Sequence, residues 1–78
     1  MIQVGQTISV LASFSAGMKP LQFRWSGRII KVKEITYTWK SREGQKDIFH
    51  FSVTDGEALY ELTFDAQSLL WRLERLEA

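Results

Sequence analysis

The side chains of this chain change character at every second residue, and that period restricts the fold more than any other property. Ile2, Val4, Ile8, Val10, Ala12 and Phe14 share one parity, while Gln3, Gly5, Thr7, Ser9 and Ser13 share the other. Successive side chains of a β-strand point to opposite faces, so this pattern describes a strand with one buried and one wet face. Only Gln6 breaks the inward set. The run exceeds the usual strand of roughly 5–6 residues, so a bend or bulge is expected near Gly5. Ala16-Gly17-Met18-Lys19-Pro20 then reads as a turn.

The same period continues with interruptions. Leu21, Phe23 and Trp25 face one way, with Gln22, Arg24 and Ser26 opposite. Ser26-Gly27 marks a tight turn or a glycine bulge. Ile30 and Val32 then hold the other parity, and Ile35, Tyr37 and Trp39 switch back. Such switches are expected where bulges curl a small sheet. Whether Trp25 and Trp39 share the inner face stays open at this level. The polar stretch Ser41–Asp47 reads as a solvated loop. Phe49, Phe51 and Val53 line one face of the next strand, with Ile48, His50 and Ser52 on the other. Asp55-Gly56 between two alternating runs favours a type I′ hairpin, followed by a strand with Tyr60, Leu62 and Phe64 on one face.

The last segment supports two readings. Ala66, Leu69, Leu70, Leu73 and Leu76 lie at helical spacing behind a possible Asp65 cap. A four-residue turn over Ala66–Leu69 instead pairs Phe64 with Trp71 and Leu62 with Leu73, and sets Glu61 opposite Glu74. The strand reading is preferred. The expected fold is therefore all-β: a five- or six-stranded antiparallel meander over residues 1–78, curled into a small, partly open SH3-like barrel. The alternative is an α+β chain with a C-terminal helix at about 66–77.

A chain of 78 residues supports one shallow core, since a domain of this size buries only about 60% of the surface of its unfolded form. Ten aromatic residues supply it. Cysteine is absent, so neither a disulfide framework nor a thiolate metal site is expected. The N-terminus lacks the basic start and continuous apolar run of a signal peptide, and no apolar stretch approaches the roughly 20 residues that cross a bilayer. A soluble cytoplasmic protein with no membrane partner is the expectation.

Charge is segregated along the chain. Residues 1–18 carry no charged side chain. Residues 19–46 carry eight basic groups against Glu34 and Glu43, a balance of +6, and residues 47–78 carry a balance of −5. Enzyme signatures are poor. His50 is the one histidine, and nothing in the sequence places it against Ser52 or a carboxylate such as Asp47. Metal-ligand spacing and phosphate-binding glycine loops are missing as well. No catalytic residue, metal or cofactor is expected.

Two binding classes remain. Arg24, Arg28, Lys31, Lys33 and Lys40 interleave with Phe23, Trp25, Tyr37 and Trp39, with Trp25 or Trp39 as the candidate stacking ring. This is the mixture by which small barrels hold single-stranded nucleic acid, cations tracking phosphates and rings stacking on bases. Set against this, a small core needs its tryptophans, and lysines on a sheet blunt aggregation. Homodimerisation or protein-partner binding through edge strands and the charge-segregated surface is the alternative.

Phe23-Arg24-Trp25-Ser26-Gly27-Arg28, followed by Ile30, Val32, Ile35 and Trp39, resembles a pattern in small uncharacterised bacterial β domains. So does Tyr60-Glu61-Leu62-Thr63-Phe64-Asp65 followed by Trp71 and Leu73. Some such domains look associated with DNA-repair polymerases. The resemblance spans about the last two-thirds of the chain, implies a strand over residues 69–76, and assigns no functional residue.

Overall fold

In the structure, a computed structural model that describes residues 2–78, every regular element is a β-strand. In chain order they are β1 (Ile2–Ser13), β2 (Lys19–Trp25), β3 (Arg28–Lys31), β4 (Glu34–Glu43), β5 (Lys46–Thr54), β6 (Leu59–Asp65) and β7 (Leu70–Glu77). All pair antiparallel in a single sheet of order β3-β2-β1-β7-β6-β5-β4. The all-β expectation holds, but the count is seven strands, not five or six, because the basic middle folds into three strands. The C-terminal helix at about 66–77 is excluded. Phe64 pairs with Trp71 and Leu62 with Leu73, so the helical spacing of the leucines is overridden by a hairpin that buries Leu73 completely.

Tight turns set the registers. At Ser26-Gly27, flanked by the pair Trp25–Arg28, both central residues have positive φ, at 54° and 73°, as a type I′ turn requires. Glu43 pairs with Lys46, and Gly44 has φ 64°, which suits the first central position of a type II′ turn. The polar stretch Ser41–Asp47 is thus ladder and turn, not a loop. Asp55-Gly56 does not form a type I′ turn. Thr54 pairs with Leu59, and the Asp55 Oδ1 accepts the backbone N–H of both Glu57 and Ala58 at 2.9 Å. The carboxylate, rather than two positive-φ residues, shapes this loop.

Bulges correct three further sequence expectations. One shifts the register between Leu11 and Ala12; it turns Pro20 into the core and leaves Leu21 exposed. Another at Thr36 separates Ile35, which pairs with core Val53, from Tyr37, which pairs with Ser52. Ile35 and Tyr37 therefore do not share a face. In β7 the ladder shifts at Glu74, so Glu61 meets Arg75 at 2.8 Å instead of facing Glu74. The bend expected near Gly5 is present as a register shift between Gln3 and Gln6.

The core gathers Phe23, Ile30, Phe51, Val53, Tyr60, Leu62, Trp71, Leu73 and Leu76 on one side of the curled sheet. Phe23 meets Tyr60 edge-on at 5.2 Å, so side chains from β2 and β6 touch across the interior although these strands are not neighbours. The chain between β3 and β4 exchanges partners within two residues. The Val32 N–H donates to Leu21 O, and the Lys33 N–H to Thr54 O. Beyond that point β2 and β4 part, leaving β4 with one edge unpaired.

Candidate functional site

The basic segment is split by the pleat and the bulges. Arg24 and Lys31 are exposed on the outer face of the β2–β3 hairpin, opposite Ile29 and Gln22 respectively. Trp25 belongs to the other face. It packs half-buried against the core, and its indole N–H donates to Gln6 Oε1 at 3.2 Å. Gln6, the one polar residue among the inward positions of β1, is thereby explained. Arg28, beside Trp25, reaches the field of the Tyr60 phenol. The Lys33 side chain lies along Gly56, with its Cδ 3.4 Å from where a Cβ on that glycine would stand.

Trp39 and Lys40 are neighbours in sequence and point to opposite faces of β4. Trp39 is 37% exposed on the outer face and stacks on His50 at 4.7 Å, with 11° between the rings. Tyr37, 66% exposed, continues the row at 5.4 Å from Trp39. Lys40 takes the other face, its Nζ 5.9 Å above the Phe49 ring. Of the seven predicted site residues, the structure gathers Trp39 and Lys40 on one edge strand. It places Arg24 and Lys31 on a separate surface and withdraws Trp25 into the packing.

Tyr37 and His50 were not among the predicted site residues. The spacing of Tyr37 and Trp39 already puts both on one face of a strand. The contact of Trp39 with His50 follows from the turn at Gly44-Gln45, which fixes the two residues opposite each other. Reading Ser41–Asp47 as a loop hid that register.

His50 has further consequences. Its Nε2 lies 2.7 Å from Ser41 Oγ, so the hydroxyl that meets the imidazole comes from β4, not from Ser52. The other ring nitrogen, Nδ1, is buried with no hydrogen-bond partner. In a serine–histidine pair that acts as nucleophile and base, a third group typically orients the imidazole, and no described side chain bonds to the His50 Nδ1. Among the described residues no group of three His, Cys, Asp or Glu side chains is placed to hold a metal ion.

Beside the aromatic row lies a depression of about 540 Å³ on the outer face of β5, β6, β7 and β1. Most of its charges, Glu43 excepted, are paired within the chain. Arg75 bonds to Glu61, Arg72 to Glu74, and Lys46 approaches Asp65 at 3.7 Å; Thr63, buried at its centre, donates to Glu74 at 2.7 Å. Arg24, Arg28, Lys31, Lys33 and Lys40 form no ion pair among the described residues. These unpaired cations therefore sit on β2, on β3, at Lys33 in the link, and on β4, where Glu34 and Glu43 are also without an ion pair among the described residues. Also among the described residues, no helix is long and apolar enough to cross a membrane.

Comparison of the chain with protein-family models, with curated proteins and with solved structures found no match.

Proposed function

We propose that this chain is a non-enzymatic, cytoplasmic binding domain that holds single-stranded nucleic acid on the outer face of β4. The supporting observation is the row Tyr37–Trp39–His50, in which two exposed rings stand on one face of an edge strand. Exposed aromatics cost solubility and add nothing to the core, whereas bases stack on them with little regard to sequence. Arg24, Arg28, Lys31, Lys33 and Lys40 lie off the face of the aromatic row, but no carboxylate among the described residues pairs with them, and their field attracts a polyanion to this part of the sheet. The curl of the sheet around Val32 and Lys33 supports reading it as a partly open barrel, which leaves this strand accessible. The resemblance to small bacterial β domains, some of which look associated with DNA-repair polymerases, leans the same way.

The experiment is a fluorescence titration with oligo(dT) and oligo(U) at about 50 mM and 200 mM salt. Binding is expected to weaken steeply with salt, because each phosphate contact releases counterions. Tyr37→Ala and Trp39→Ala are each expected to cost about 1–3 kcal/mol of binding, while Trp25→Phe leaves affinity unchanged. No binding at the lower salt sinks the reading.

The unpaired edge of β4 favours a second reading, docking of a protein partner strand to strand.

A further inference from the structure

Where β3 passes into β4, the strands β2 and β4 diverge, and the sheet leaves a cleft between them. One part, about 570 Å³, is lined by Met18, Pro20, Leu21, Val32, Ile35 and Thr38. A second part, about 330 Å³, is lined by Met18, Thr38, Phe49 and Phe51. The two meet at Met18 and Thr38 and together follow the free edge of β4.

Thr38 and Lys40 occupy inward positions of β4, opposite Phe51 and Phe49, yet both are exposed. An inward position is exposed only where nothing covers the inner face. The cleft floor of Met18, Ile35, Phe49 and Phe51 is core-type surface, and its wall is a strand edge with unused N–H and C=O groups. Among the described residues, Lys19, Lys33 and Lys40 stand around it against the single lining carboxylate of Glu34, and none of the three lysines is ion-paired.

We propose that this cleft accepts an extended segment of a partner protein in which apolar and acidic residues alternate. The segment adds a strand to β4 along Tyr37–Glu43, the part of the edge beyond the Thr36 bulge. Strand period two sends its carboxylates to the inner face that Lys40 occupies, with Lys19 at the rim of the cleft, and its apolar side chains to the outer face beside the exposed rings of Tyr37 and Trp39. At about 3.4 Å per residue, this edge takes a segment of about seven residues. A second copy of the chain is disfavoured as occupant. Antiparallel self-pairing over the whole of Tyr37–Glu43 puts Lys40 opposite its own copy, and like charges directly opposed destabilise a ladder. The inference rests on the reading of β4 as a docking edge and is independent of the nucleic-acid reading.

The test uses blocked, fluorescently labelled peptides of about eight residues: repeating Val-Glu, repeating Val-Lys, and Val-Glu interrupted by proline. Anisotropy measures affinity, and backbone amide shifts of labelled protein locate the site. The Val-Glu peptide is expected to bind and to shift the amides of Tyr37–Glu43 and Met18. The proline peptide, which lacks a ladder donor, binds more weakly. Lys40→Glu and Lys19→Glu, checked for an unchanged amide spectrum elsewhere, each lower Val-Glu affinity at least about tenfold, the effect of roughly 1.4 kcal/mol. Equal or tighter binding of the Val-Lys peptide at β4 overturns the acidic partner while leaving the docking edge standing. Neither peptide shifting β4 overturns both. Oligo(dT) filling the cleft in place of peptide, or sedimentation showing a β4-dependent dimer, assigns the edge to another occupant and also overturns the proposal.

Discussion

Asp55 illustrates how much one side chain carries in a domain this small. Its carboxylate accepts the N–H of Ala58 and Glu57 and, through Oδ2, the Tyr60 hydroxyl at 3.1 Å. The Ala58 N–H first and the Glu57 N–H second hold its pKa below the ordinary carboxylate value. Asp65 is lowered in the same way, chiefly by the Gln67 N–H. A carboxyl whose folded pKa lies below its unfolded one stabilises the fold above the unfolded value of about 3.9. That contribution is lost as pH falls through the folded value. Stability of the wild type towards urea is therefore expected to fall as the pH drops below about 4, and Asp55→Asn to show a smaller loss over the same range. Asp55→Ala, which strands three donors, is expected to cost about 1–3 kcal/mol at neutral pH. The sequence pointed to a turn at Asp55-Gly56, but not to its mechanism. Whether an aspartate enters left-handed backbone or caps a wider loop depends on where Tyr60 brings its hydroxyl.

The hairpins show the same division at the scale of elements. The β6–β7 pairing was legible because Phe64, Leu62, Trp71 and Leu73 fall at mirrored positions about a four-residue turn. Its geometry contains one strained residue: Leu69 has φ 64° and is 67% exposed. A left-handed conformation costs an ordinary L-residue about 1–2 kcal/mol, whereas asparagine tolerates it. Leu69→Asn loses no core packing and is expected to raise stability by about 0.5–1 kcal/mol, read from the denaturant midpoint at an unchanged m-value. The β4–β5 hairpin was hidden because seven consecutive polar residues look like a loop. Apart from half-buried Ser41 and Asp47 they are exposed, but their backbone is paired from Ser41–Ile48 through Glu43–Lys46. Exposure of side chains on an edge hairpin does not imply an unpaired main chain.

At the scale of the whole molecule, stability rests on a core one side chain deep, joined by the pairing of the first strand with the last. Leu62 and Leu73 are fully buried and face each other across β6 and β7, next to the β1–β7 ladder. Truncation of a buried leucine costs about 2–5 kcal/mol, and 78 residues offer a total of roughly 4–12 kcal/mol at ordinary stability per residue. Leu62→Ala or Leu73→Ala is thus expected to lower the thermal midpoint by tens of degrees or to leave the chain unfolded at room temperature, as circular dichroism would report. Surface changes at Arg24 or Lys31, which touch neither core nor ion pair, are expected to leave it within about 0.5 kcal/mol.

Alternation pointed to an all-β chain, with a C-terminal helix as the alternative, and showed which residues of β5 and β6 face the core and that bulges interrupt the basic middle. These are local consequences of a two-residue period, so they are written in neighbouring residues. The tertiary structure decided the rest. It joined β1 to β7, turned Trp25 inward onto Gln6 and Trp39 outward onto His50, and divided one basic run of sequence between two faces. Each of those outcomes depends on a register or a bulge, where a shift of one residue reverses every side chain beyond it. The period of the sequence therefore specifies strands, while the phase of each strand against its neighbours specifies the face it offers to a ligand.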